Sequence, residues 1–145
     1  MKPIENRSNC PISSSLDIFG DRWSLLIVRD LMMYKTRTYG DFTKSAEKIA
    51  TNILANRLQV LEESGIVSKL PYPDNKVKGL YQLTPKGVAL IPTLVEIALW
   101  GGKSLSNTDE NTRFLTEVRK NKPKFLKNLM EKLLAEQGEN DRGYI

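Results

Sequence analysis

Three amides carry the clearest chemistry in this chain: Asn52, Asn56 and Gln59, all within Ala50 to Gly65, ATNILANRLQVLEESG. On a helix of 3.6 residues per turn they share one face, with Ala55 beside them and Thr51 at the start. A carboxamide donates and accepts at once, which lets Asn or Gln pair bidentately with the major-groove edge of adenine. Asn52 and Asn56 sit in the N-terminal half of the helix, the half that reaches a groove first. An ordinary solvated helix can show the same face, so the neighbouring elements must decide. Thr51 is suited both to cap the helix and to bond a phosphate. Arg57 projects between Ile53 and Leu61, on the inward side. It has two uses open to it: a structural ion pair, with Asp41 or Glu62 as partner, or a snorkelling contact to guanine or phosphate.

The second reactive group is Cys10, directly before Pro11. A lone cysteine is usually a small buried hydrophobe, but the N–H groups at a helix start favour a thiolate, and Arg7 and Arg22 are nearby in sequence. With no second cysteine, any disulfide must join two subunits or a small thiol. Lys76 and Lys78, with Asn75 near them, are placed to meet phosphates, as are Arg37, Lys44 and Lys48; solvated surface charge is the other use of each.

The missing residues narrow the field further. There is no His among the 145 residues, so Ser-His and Cys-His pairs and His-ligated metals are excluded. Neither a phosphate-binding GxxxxGK[ST] nor a GxGxxG is present, and no solenoid repeat. No cofactor and no metal are implied, and an enzyme is disfavoured. The formal charge of +5 and pI near 9.3 fit a polyanionic partner. The N-terminus lacks the apolar core of a secretory signal, and no apolar run reaches membrane-spanning length, so a cytoplasmic, membrane-free protein is expected.

The elements that would position these groups follow from periodicity. Pro11 to Phe19 reads as a short helix ending at Gly20, with Ser13, Ser14 and Ser15 as cap types. Asp21 can cap a strongly apolar helix to Met33, whose two apolar sides (Trp23, Leu26, Ile27 and Leu31; Leu25, Val28 and Met32) suit the centre of a domain or a subunit interface. Tyr34 to Thr38 is a basic turn, and Tyr39 to Ala46 a short helix with Phe42 facing in. The amide-bearing helix follows, held by Leu54, Leu58 and Leu61, with Gly65 suited to the left-handed residue that ends it. That pair has the arrangement of a helix-turn-helix. Ile66 to Tyr72 and Leu80 to Leu83 read as a hairpin around Pro73-Asp74-Asn75-Lys76, with the basic residues near its tip. Thr84-Pro85 opens a further helix that Pro92 must kink or restart, and Gly101-Gly102 closes it. Beyond it, Phe125, Leu126, Leu129, Met130, Leu133 and Leu134 form a stripe that must be buried in its own domain or against a second subunit. From Gly138 the chain should fray.

Several stretches together resemble the HxlR-type winged helix-turn-helix regulators, within the MarR-like superfamily. They are NCP at Asn9 to Pro11, GDRWSLLIVRDL at Gly20 to Leu31, YGDF at Tyr39 to Phe42, IATNILANRLQVLEESGIV at Ile49 to Val67, and YQLTPKG at Tyr81 to Gly87. The similarity covers roughly residues 9 to 101. It implies a dimeric bacterial transcription factor that places the helix at 51–64 in the major groove and the hairpin at 72–80 as the wing. It also implies dimer contacts around residues 12–19 and 86–101, and, in some members, sensing of quinones, aldehydes or oxidants by a cysteine that Cys10 matches.

The reading is therefore a mainly α fold with a small β-hairpin wing (α+β), dimerising through its terminal helices. Residues 9–102 would form the DNA-binding domain and 103–145 a C-terminal helical extension. The expected function is a homodimeric, sequence-specific DNA-binding transcriptional regulator on a roughly palindromic operator. A small ligand or an electrophile acting on Cys10 would switch it. Two other readings differ in what they predict. A winged-helix protein-interaction module would leave no operator footprint; a small-molecule receptor with a pocket among Trp23, Trp100 and the dimer helices would show ligand-dependent fluorescence.

Overall fold

The computed structural model describes residues 7–72 and 75–143, with side chains for 7–71 and 79–135. The chain forms two compact units that meet in sequence at Thr84 and Pro85. In the first unit, helix α1 spans Pro11–Phe19. Its start is set by Pro11, whose fixed φ suits the first helical position, so Cys10 becomes the N-cap. The three serines expected to cap it lie inside the helix instead, and Ser15 Oγ donates back to the Pro11 carbonyl at 2.7 Å. Gly20 closes it.

Helix α2 runs Ser24–Tyr34, starting later than the expected Asp21. Asp21 still serves its first turn from outside: Oδ2 accepts from the Trp23 and Ser24 N–H groups, each at 2.9 Å. Ile27, Val28 and Leu31 are buried, which makes α2 the central helix its two apolar sides predict. The following segment is more than a turn. Arg37–Thr38 forms a two-residue strand, β1, and Thr38 caps helix α3, Tyr39–Thr43, through a reciprocal box with Asp41. Thr38 Oγ1 accepts from the Asp41 N–H at 3.2 Å, and Asp41 Oδ2 accepts from the Thr38 N–H at 2.9 Å. α3 stops short of the expected Ala46, with Lys44 at its C-cap, and just beyond it Ser45 donates its hydroxyl to Asp30.

Helix α4 spans Thr51–Glu63, with Leu54, Leu58 and Leu61 buried as the spacing predicts. Thr51 does not cap it: Ala50 holds the extended N-cap position, which offers no side-chain cap to the first N–H groups. Gly65, at φ 75°, takes the left-handed conformation expected of it. Strands β2, Val67–Tyr72, and β3, Asn75–Leu83, then pair antiparallel, and β1 adds on the far side of β3 in the order β1-β3-β2. The register aligns Leu70 with Leu80 and Thr38 with Leu80. Pro71 is tolerated because β2 is an edge strand. The turn at Pro73-Asp74 lies outside the described residues. Phe42 meets Tyr81 edge to face at 6.1 Å, joining α3 to the sheet.

In the second unit, Pro85–Val88 is a short helix, α5, and Pro92 sits in the first turn of α6, Ile91–Ser104. Pro92 thus marks a true start rather than a kink. Gly101 and Gly102 fall within the last turn of α6 instead of closing it. Helices α7, Arg113–Lys120, and α8, Lys122–Gly143, pack with α5 and α6 and bury Leu115, Val118 and Leu133. The C-terminal stripe is only partly covered by its own chain: Leu133 is buried, Phe125 pairs edge to face with Phe114 at 5.4 Å, and Leu134 remains exposed. The backbone stays helical past Gly138 to Gly143, where fraying was expected. Among the described residues, no helix is long and apolar enough to cross a membrane.

Candidate nucleic-acid interface

The two faces of α4 are sharply divided. Leu54, Leu58 and Leu61 are almost wholly buried, while Thr51, Asn52, Ala55, Asn56 and Gln59 face solvent together. Gln59 Nε2 donates to Glu63 Oε1 at 3.2 Å. The start of the helix is tied to α3 by the Tyr39 hydroxyl, which donates to the Thr51 carbonyl.

Arg57 is about three-quarters sheltered between the faces and makes a structural pair, but with neither partner expected for it. Its Nη1 lies 3.3 Å from Asp21 Oδ1. Its Nε and Nη2 both donate to Asn56 Oδ1, the former at 3.0 Å. Asp41 is occupied by the α3 cap, which explains why it is not the partner. Burial pushes the Asp21 carboxyl up, but the Ser24 hydroxyl, the Trp23 and Ser24 N–H groups and Arg57 together hold it below its usual value.

A second polar cluster fixes the turn before α4. Arg29 on α2 grips Glu47 bidentately, at 2.8 and 2.9 Å, and also donates to Asp30 Oδ1. Asp30, 6 % exposed, accepts from the Ser45 hydroxyl on its other oxygen. The Arg29 hydrogen bonds lower the Glu47 carboxyl from 4.5 to about 2, and the same bonds, above all those to Glu47, raise the guanidinium of Arg29. Sequence reasoning missed this clamp. Its only signal was the adjacent pair Arg29-Asp30 inside an apolar helix, where a buried charge demands partners. Lys48 follows at φ 53°, a left-handed residue in the turn that no glycine announces.

The remaining candidates are scattered around this frame. Lys44 and Lys48 are exposed beside the turn. Arg37 is partly buried, with its guanidinium 3.6 Å above the Tyr34 ring, so part of its charge is already engaged. Asn75, Lys76 and Lys78 belong to β3, but their side chains lie outside those described. Cys10 is exposed at the head of α1. Of the cations near it in sequence, Arg7 is committed to Asp17 at 2.6 Å.

A helix-turn-helix followed by an antiparallel hairpin is what known proteins share with this chain. The family model for HxlR-like helix-turn-helix proteins matches residues 18–109. The chain belongs to this family. As an HxlR-like protein it is a transcriptional regulator of the helix-turn-helix type, mainly helical with a small three-stranded sheet. It is similar to the HTH-type transcriptional regulator YodB of Bacillus subtilis, 36% identical over 92 residues, which is 63% of this chain and 81% of YodB. The reduced form of YodB superposes with a TM-score of 0.56 at 30% identity, covering 70% of this chain and all of that one (100%). YodB has also been solved bound to quinone and after diamide treatment. The crystal structure of PA1607 gives a TM-score of 0.64 at 42% identity, covering 74% of this chain and 73% of that one. The oxidised form of the redox regulator HypR gives 0.58 at 28% identity, covering 69% and 99%.

Proposed function

We propose that this HxlR-like chain is a homodimeric, sequence-specific DNA-binding regulator that presents the outer face of α4 to the major groove. The observation that carries the reading is the exposed amide row Asn52, Asn56 and Gln59 on a helix locked in place by two ion-pair clusters, Arg57–Asp21 and Arg29–Glu47. Asn52 and Asn56 read base edges, with Ala55 and Gln59 flanking them and Thr51 at the phosphate. Asn75, Lys76 and Lys78 on the wing, with Arg37, Lys44 and Lys48, supply backbone contacts and therefore salt dependence. Pairing of two chains uses apolar residues left in solvent: Ile12 and Leu16 on α1, at 72% and 48% exposure, and Ile97 and Trp100 on α6, at 50% and 62%. Cys10, exposed at the head of α1, is the group an electrophile or oxidant would modify; the quinone-bound YodB and the oxidised HypR support that reading by likeness.

The test is selection of binding sites from genomic fragments followed by footprinting. Two protected half-sites should appear about one helical turn, or a multiple, apart. Log affinity should fall with log salt at a slope near −0.9 per phosphate neutralised. Binding that protects no site and ignores salt would instead make α4 a protein-docking face.

A further inference from the structure

We propose that Arg57, braced by Asp21, turns the Asn56 carboxamide so that only its amino group faces DNA, which makes Asn56 a reader of keto edges, guanine before thymine, and not of adenine. The inference rests on the DNA-binding reading above and specifies the chemistry of one of its contacts. A guanidinium has donors only, so the Asn56 atom it meets is the carbonyl oxygen and Nδ2 is turned away. A carbonyl oxygen has two lone pairs, and two N–H groups of Arg57 already point at it. The bidentate contact to adenine needs that oxygen to accept from N6 while Nδ2 donates to N7. Here the accepting half is taken.

What remains is an NH2 group with two hydrogens. Guanine presents two neighbouring acceptors, O6 and N7, and thymine presents one, O4. Adenine pairs its single N7 with an N6 donor, which would face the Asn56 donor unmatched. Rotating the carboxamide to recover the adenine contact would set Nδ2 against a cation.

Arg57 is held against swinging aside. Its third nitrogen pairs with Asp21 Oδ1 at 3.3 Å, and both side chains are about three-quarters sheltered, at 27% and 23% exposure. Asp21 is in turn fixed by the Ser24 hydroxyl at 2.6 Å and by two backbone N–H groups. Charged partners strengthen such hydrogen bonds. Arg57 and Asp21 are thus positioning residues, which touch no base themselves. Asn52, one turn earlier, has no side-chain hydrogen bond among the described residues, so it keeps both halves of its amide for adenine.

The experiment is selection from a random duplex library by the full-length protein and by Asn56→Ala, Arg57→Ala and Asp21→Asn, with folding checked by circular dichroism. One motif position should lose its preference in Asn56→Ala. In the wild type that position should favour guanine over adenine by about tenfold or more. Arg57→Ala should move the same position toward adenine, and Asp21→Asn should move it part of the way. A merely structural Arg57 would lower affinity for all sequences and leave that preference unchanged, which overturns the proposal. Adenine at the Asn56-dependent position of the wild type also overturns it, and this arm stands even where a variant fails to fold. So does a motif with no Asn56-dependent position. No enriched motif at all in the wild type defeats the underlying DNA-binding reading, a failure visible before any variant is compared.

Discussion

Asn56 and Lys76 separate two kinds of contact that a helix-turn-helix protein needs. Asn56 meets solvent from a helix whose other side is packed, so on the proposed reading its loss removes a base contact together with the acceptor it offers to Arg57. Replacing it with alanine should relax sequence choice by about 1–3 kcal/mol for that contact. Lys76→Ala should instead weaken every sequence alike and lower the salt slope by about one phosphate's worth. Titrating both variants on operator and random duplexes distinguishes the two; equal losses on both DNAs for Asn56→Ala would remove the base-reading role. At Cys10 the informative change is to serine, which keeps the polar shape and removes the thiol. Operator release by diamide or a quinone should then disappear, as measured by fluorescence anisotropy. Unchanged release would place the sensor elsewhere. The inward lean of Arg57 was legible from helical geometry alone. Its partner was not, because Asp21 belongs to another helix and periodicity says nothing about which charges meet across a core.

Among the elements, α4 was the most readable and the turn before it the least. The leucines that bury α4 recur at helical spacing, and Gly65 carries its conformational requirement in its identity. By contrast β1 is two residues long, too short to show alternation, and it exists only because β3 offers it an edge. The same holds for helix starts: Pro11 decided the start of α1 over three good cap residues, and Ala50 displaced Thr51 at α4. The Arg29–Glu47 clamp makes a prediction for the turn as a whole. Because the Glu47 carboxyl drops from 4.5 to about 2 on folding, its contribution is fully present above about pH 4.5 and is lost as the pH falls toward 2. Glu47 is over a third exposed, so solvent screening limits the effect to about 1 kcal/mol. Urea unfolding from pH 6 to pH 2 should show the wild type losing its advantage over Glu47→Gln across that window. A constant difference at every pH would mean the charge does not matter there.

At the scale of the whole molecule, the chain divides into two compact units. The compact units part at Thr84 and Pro85, and of the C-terminal stripe Leu133 is buried while Leu134 stays exposed. Trp100, at 62% exposure, is left in solvent and is the residue whose role in pairing is most easily tested. Trp100→Glu should shift sedimentation toward monomer and, with two half-sites no longer held together, reduce operator affinity about tenfold or more. A dimer undisturbed by the glutamate would assign pairing to α1 alone. The split surface of α4 also bears on how such a regulator changes over generations. Asn52, Ala55 and Gln59 are exposed and carry no packing load, so on the DNA-reading role proposed for them they are free to drift and retarget the protein without risking the fold. Arg57 has no such freedom, since it is bound to both Asp21 and Asn56. Lineages descended from this chain should therefore diversify their target sites around one inherited base position, the one that Arg57 holds fixed.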